Sequence, residues 1–167
     1  MADSTQRGIT FYDHDEAPLL DDTDMMTPPE IDRAVYTELD LTVLQAGSVV
    51  KALFDEGRPG GCSLVHASFG PGYRLPRHSH SADCLYYVVR GEAIMGSRTI
   101  RAGDGFFVRS GQPYAYQAGP DGVEVLEFRT ETQFDMQVLD QTVERWEPIV
   151  AAANDNQDRW LADAAAR

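Results

Sequence analysis

His78 and His80 stand one residue apart in the stretch "RHSHSADCLYYVVRGE". Residues two apart on an extended chain point to the same face, so both imidazoles can converge on one point. Neutral imidazole is a common ligand of iron, zinc, nickel and copper. Four residues after His80 comes Cys84, whose thiolate would be a softer ligand than a carboxylate. The competing reading is a buried apolar residue, since free cysteine is among the most buried types. Tyr114 and Tyr116 share parity in "PYAYQ", and Tyr86 shares parity with Cys84. With those faces inward, phenol hydroxyls line a site for a polar ligand; otherwise the rings fill a core. Tyr114 could coordinate as phenolate or stay protonated as an acid–base group. His66 in "SLVHASF" offers a further imidazole, although parity does not say which face it joins, and a hydrogen-bonded structural role is the simpler reading. His14 lies in an acidic stretch and is expected to be solvated.

These residues need a scaffold that holds short extended segments around a centre. From Gly61 onward the chain is a regular succession of strand-like runs and glycine turns: "CSLVHASF", "DCLYYVVR", "AIMGSRTI", "GDGFFVRSGQPYAYQAG" and "GVEVLEFR". Many short strands at near-even spacing indicate an antiparallel sandwich or barrel. In the last run the apolar alternation reads as Val123, Val125 and then Leu126/Phe128. Asp83 sits one position short of Cys84, where alternation points it away from the Cys84 face. Arg74, Arg77, Arg90 and Arg109 border the motifs and read as rim residues, one of which turned inward would favour an anion. Upstream, "AVYTELDLTVLQAGSVVKALF" suggests two strands separated by Gly47. The acidic, proline-bearing residues 1–33 read as an extended arm, 34–135 as the barrel and 136–167 as a helical tail broken at Pro148 and Asn154–Asn156. In that tail Trp146, Ile149, Val150 and Ala153 form a stripe that packs on the barrel.

The spacing resembles the cupin family. Gly72, five residues, His78-x-His80, three residues, Cys84, six residues and Gly91 follow the first cupin motif, with Cys84 in the glutamate position. Gly103 and Gly111 follow the second, in which Arg109 stands for proline, Tyr114 for histidine and Ala118 for asparagine. The likeness covers residues 43–128. It implies an all-β fold, an antiparallel double-stranded β-helix or jelly-roll barrel, carrying here an N-terminal arm and a C-terminal helical tail. A cupin metal site usually takes the two histidines and the glutamate of the first motif and the histidine of the second. The resemblance therefore implies a divalent metal (Fe, Zn, Ni or Cu) at His78, His80 and Cys84, with Tyr114 catalytic and Tyr86, Tyr116 and His66 around the ligand. The expected function is a metal-dependent oxygenase, isomerase or lyase acting on a small molecule. The alternative is a metal-free cupin that binds a small molecule as a carrier or sensor, which the loss of two usual ligands favours. A thiol-dependent activity at Cys84 is the weakest reading, because no oriented Cys–His–acid set is visible.

Bulk properties bound the partners. With 167 residues the chain suits one domain. Its formal net charge of -13 argues against nucleic acid, whose phosphates call for clustered Lys and Arg. No apolar run is long enough to span a membrane, and no nucleotide cofactor is expected. The start lacks a basic segment followed by an apolar one, and Cys62 and Cys84 are too few for a disulfide framework, so a cytoplasmic protein with free thiols is expected. A homodimer is expected, with the arm covering exposed strand edges.

Overall fold

The computed structural model describes residues 8–165; the first seven residues of the expected arm and the last two of the tail lie outside the described residues. The strands are β1 (Met26–Thr27), β2 (Ser48–Asp55), β3 (Ser63–Phe69), β4 (His78–Ser79), β5 (Cys84–Met95), β6 (Arg98–Arg101), β7 (Gly105–Val108), β8 (Gln117–Arg129), β9 (Phe134–Asp135) and β10 (Gln137–Val138). The main antiparallel sheet runs β2-β3-β8-β5-β6, and β7 pairs with the start of β5. Two small ladders, β1 with β9 and β4 with β10, close over one end of this sheet.

Alternation assigns the two faces. In β3, Ser63, Val65, Ala67 and Phe69 are buried, while Leu64, His66 and Ser68 are only partly covered. Cys84, Tyr86 and Val88 of β5 point inward, and Leu85, Tyr87 and Val89 point out. The long β5–β8 ladder is interrupted by bulges near Val88–Arg90 and Gly91–Ala93. Gly91 makes this bend possible: its φ is +69°, and a Cβ there would collide with the carbonyl oxygen of Gly122.

The first expected strand of residues 34–54 is instead a helix, α1 (Arg33–Glu38), followed by a 3-10 segment (Leu41–Gly47); only β2 is extended. Caps decide it. The Asp32 carboxylate accepts from the Ala34 N–H at 2.8 Å, and Asp40 accepts from Thr42 N–H at 3.0 Å. Burial of Val35 between α1 and the tail then overrides its β preference.

The tail also differs from expectation. Helix α2 (Val143–Ala165) runs unbroken through Pro148 and Asn154–Asn156. Pro148 sits near the start, where it removes one helical hydrogen bond, and the buried Trp146, Ile149, Val150, Ala153 and Trp160 outweigh that loss. Asn156 turns its side-chain amide to the carbonyl of Ala152 and so does not leave the helix.

Trp160 ties the helix to the sheet. Its indole lies against the alpha carbons of Gly47 and Gly70, and its Nε1–H donates to the Pro71 carbonyl at 3.0 Å. Trp160→Ala is expected to cost about 3–5 kcal/mol of unfolding free energy, read from urea denaturation. A cost within about 0.5 kcal/mol, the range of ordinary surface changes, would mean that α2 docks independently of this ring.

Candidate functional site

The two histidines of the opening stretch converge. His78 lies in β4 and His80 just beyond it, both buried, with ring centroids 5.0 Å apart. Each is oriented by a main-chain carbonyl. His78 Nδ1–H donates to Pro76 O at 2.8 Å, and His80 Nδ1–H donates to Asp135 O. A carbonyl only accepts, so Nδ1 carries the proton and Nε2 is left as a bare acceptor. Burial pushes the His78 pKa down to about 4, with His80 and Arg129 adding to the fall against the Pro76 hydrogen bond. His80 is lowered for the same first reason, burial, and then by Arg129. Both rings are neutral at pH 7.

Tyr114 lies directly across from His78, the two exchanging main-chain hydrogen bonds at 3.0 and 2.9 Å, with their rings 4.4 Å apart. Its hydroxyl meets that of Tyr86 in a buried hydrogen bond. Tyr116 stacks beside Tyr114 at 6.4 Å, and its hydroxyl finds no partner among the described residues. Burial raises the pKa of all three phenols, and Glu127 adds to it, so they stay protonated. Cys84 is buried on the same inner face; burial pushes its thiol up to about 12, against the pull of Arg129. It is a neutral thiol at pH 7, neither nucleophile nor ready ligand.

His66 does not join this group. Its position in β3 faces outward, where the N-terminal arm covers it: His14 Nε2 lies 3.1 Å from His66 Nδ1, and Glu124 approaches its Nε2 at 3.8 Å. His14 is exposed, as expected, and is also a contact of the arm. Asp83 points away from the centre and accepts from Ser110 N–H at 2.7 Å. Arg90 pairs outside with Glu124, and Arg109 lies over the Phe107 ring.

Two site residues escaped the sequence reading. Glu127 and Arg129 occupy the inward positions of β8 after Val123 and Val125, while Leu126 and Phe128 face out. The ladder sets Glu127 opposite Tyr86 and Arg129 opposite Cys84. Arg129 is 1% exposed, and its Nη2 donates to Glu127 Oε2 at 2.6 Å. Its guanidinium carbon lies 3.9 Å from the centroid of the Phe134 ring, which in turn meets His80 edge-on. Nε and Nη1 of Arg129 have no partner among the described residues. The legible signal was parity: the inner-face set Val123, Val125, Glu127, Arg129 changes from apolar to charged midway along one strand.

The donor set does not fit the divalent metal implied by the cupin resemblance. Among the described residues no three His, Cys, Asp or Glu side chains are grouped to hold an ion. Only two imidazoles converge, the thiol is protonated, and Glu127 is engaged by a guanidinium.

Comparisons place the fold. No protein-family model matches the chain, and no curated protein matches it. KdgF from Halomonas sp. is 18% identical with a TM-score of 0.51, over 74% of this chain and 96% of that one. The polyketide cyclase RemF from Streptomyces resistomycificus is 16% identical with a TM-score of 0.51, over 64% and 84%. An RmlC-like cupin from Shewanella frigidimarina is 24% identical over 50% and 76%, with a TM-score of 0.43. The chain spans only 26%, 32% and 50% of two oxalate decarboxylases and the DMSP lyase DddQ, which it also matches. The chain has the cupin jelly-roll fold. No helix among the described residues is long and apolar enough to cross a membrane.

A pH dependence follows from His78. Between the ordinary value of 6.5 and about 4 the unfolded chain binds a proton that the folded ring refuses. The stability this ring contributes is present above the ordinary value and is lost as pH falls toward 4, on the order of 3 kcal/mol. Urea denaturation across this range should show the loss, and His78→Asn should flatten it. Identical profiles for both proteins would reject the assignment.

Proposed function

We propose that the protein binds a small hydroxy-carboxylate at the polar end of the jelly roll, without a divalent metal. The observation that carries this reading is the set of buried donors without partners among the described residues: Tyr116 Oη and Arg129 Nε and Nη1. Leaving such groups unpaired costs roughly 1–3 kcal/mol each, and a ligand with acceptor oxygens removes that cost. The two bare Nε2 atoms of His78 and His80 supply the complement, accepting from a ligand hydroxyl. A ring whose pKa lies near 4 is a poor general base at neutral pH, which favours recognition over proton abstraction. Tyr86 and Tyr114, already bonded to each other, hold the wall of the site.

Thermal shift and calorimetry with glycolate, lactate, malate and gluconate test the reading. At least one should stabilise the wild type, by about 2.7 kcal/mol at a hundredfold excess over Kd. Tyr116→Phe and His80→Ala should each weaken that binding by tenfold or more, given about 1.4 kcal/mol per lost hydrogen bond. No binding by any of the four acids, or binding untouched by both variants, would overturn it.

We also propose that a second copy of the chain covers the bare part of the sheet. Leu85 sits in the ladder between Phe107 and Phe128, and all three are about half exposed, as are Tyr87 and Val89. This face continues the one that the chain's own arm already covers at His66, and the arm carries the exposed Ile9 and Phe11 just before it. Apolar area of this kind favours association. Light scattering should give a dimer mass, and Leu85→Glu should give a monomer; a monomeric wild type would refute the dimer.

A further inference from the structure

We infer that Arg129 is the resident cation of the jelly roll, its guanidinium standing where a divalent metal would need to be and keeping such an ion out. The inference shares its site with the binding reading but does not depend on it, because it concerns charge and its test reads metal alone.

The reasoning begins with what the ladder places at the centre. Position 84, where the resemblance calls for a carboxylate, carries a thiol, and directly across the β5–β8 ladder from it stands Arg129. Position 114, where the resemblance calls for an imidazole, carries a phenol bonded to another phenol. Where the resemblance calls for a carboxylate and an imidazole this chain carries a thiol and a phenol, and a permanent positive charge stands across the ladder from the thiol. Guanidinium does not lose its proton in proteins, so the charge is present at every working pH.

The centre retains one carboxylate, that of Glu127. Its Oε2 is held by Arg129 Nη2 at 2.6 Å, so it is not available to complete a set with the two imidazoles. Arg129 is fastened on its other side by the face of Phe134, and Phe134 touches His80. The guanidinium therefore sits within a cluster bounded by Cys84, Glu127, Phe134 and the histidine pair. Through the Phe134 ring the guanidinium's positive charge lies beside the histidine pair. A dication approaching the two Nε2 atoms is repelled by that charge. The imidazoles keep a ligand-like orientation, with Nδ1 tied to main-chain carbonyls, yet the third donor they need is bound to the arginine.

Removing the guanidinium should then create a metal site. Arg129→Met frees Glu127 to join His78 and His80, a two-histidine, one-carboxylate set of the kind that binds zinc. Tag-free wild-type protein, dialysed against cobalt(II) and then zinc(II), is expected to retain far less than one equivalent by mass spectrometry. It should show no cobalt absorption in the visible range. Arg129→Met is expected to take up one equivalent, at least about tenfold tighter than wild type, with visible cobalt bands that vanish when His80→Ala is added. Arg129→Gln, which keeps the first three side-chain carbons and a polar end, serves as the second variant if Arg129→Met fails to fold by circular dichroism. A wild type that binds one equivalent and loses it in His80→Ala overturns the inference. So do folded variants at Arg129 that remain as metal-poor as the wild type. Failure of the carboxylate titrations leaves these metal outcomes unchanged, so the two readings stand or fall separately.

Discussion

A guanidinium buried inside a β-structure has to be answered by a negative charge close by, and that constraint organises this molecule. Breaking a buried ion pair by removing one partner typically costs about 3–5 kcal/mol, because the remaining charge is left desolvated. Arg129 and Glu127 meet this requirement within one strand, two residues apart on the same face. The pair is short-range and local, but its burial is not. It depends on β5 lying across β8 in a register that puts Tyr86 and Cys84 over the charges, and on Phe134 closing the open side.

The same register divides the interior in two. Toward Val123 the inner face is apolar and packs with Val88, Ala93 and Ile100 under the aromatic layer of Phe69, Tyr73 and Trp160. Toward Arg129 it is polar, and every titratable group there feels the pair. Low dielectric raises the thiol and the phenols and lowers the imidazoles, so the groups around the ion pair settle in their neutral forms. The centre is accordingly a fixed arrangement of hydrogen-bond donors and acceptors around one internal salt bridge.

The outer face obeys a different rule. The arm lies over β2 and β3 through the Leu19–Lys51 bridge, the Lys51 Nζ–His14 carbonyl hydrogen bond at 2.8 Å, and the His14–His66 contact. Beyond that strip the sheet presents Leu85, Tyr87, Phe107 and Phe128 uncovered. The net charge of -13 opposes indiscriminate contact between such patches by self-repulsion.

How much of this was legible in the sequence follows from the range of each interaction. Strand and turn are local: glycine spacing and period-two alternation marked β3, β5, β7 and β8 as parts of an antiparallel sandwich or barrel, and the cupin resemblance implied the jelly roll. The pairing of His78 with His80 is also local, since alternation alone puts both on one face. Tyr114 and Tyr116 were legible as sharing one face, and Tyr86 as sharing the face of Cys84, for the same reason; which way those faces turn was not. Three things were not. The helix of residues 33–38 and the unbroken α2 depend on caps and on burial against each other, which override strand preference and the proline. The outward placement of His66 depends on which face of β3 the sheet turns to the core, and alternation is symmetric between faces. The Glu127–Arg129 pair was hidden because a charged residue in a strand normally faces water; only the closure of β9 and Phe134 over the end of β8 makes the inner face the place where those charges are held. The sequence by itself determined which residues alternate together. Tertiary structure decided which of the two faces was inside, because burial is a property of the packed layers and not of the strand.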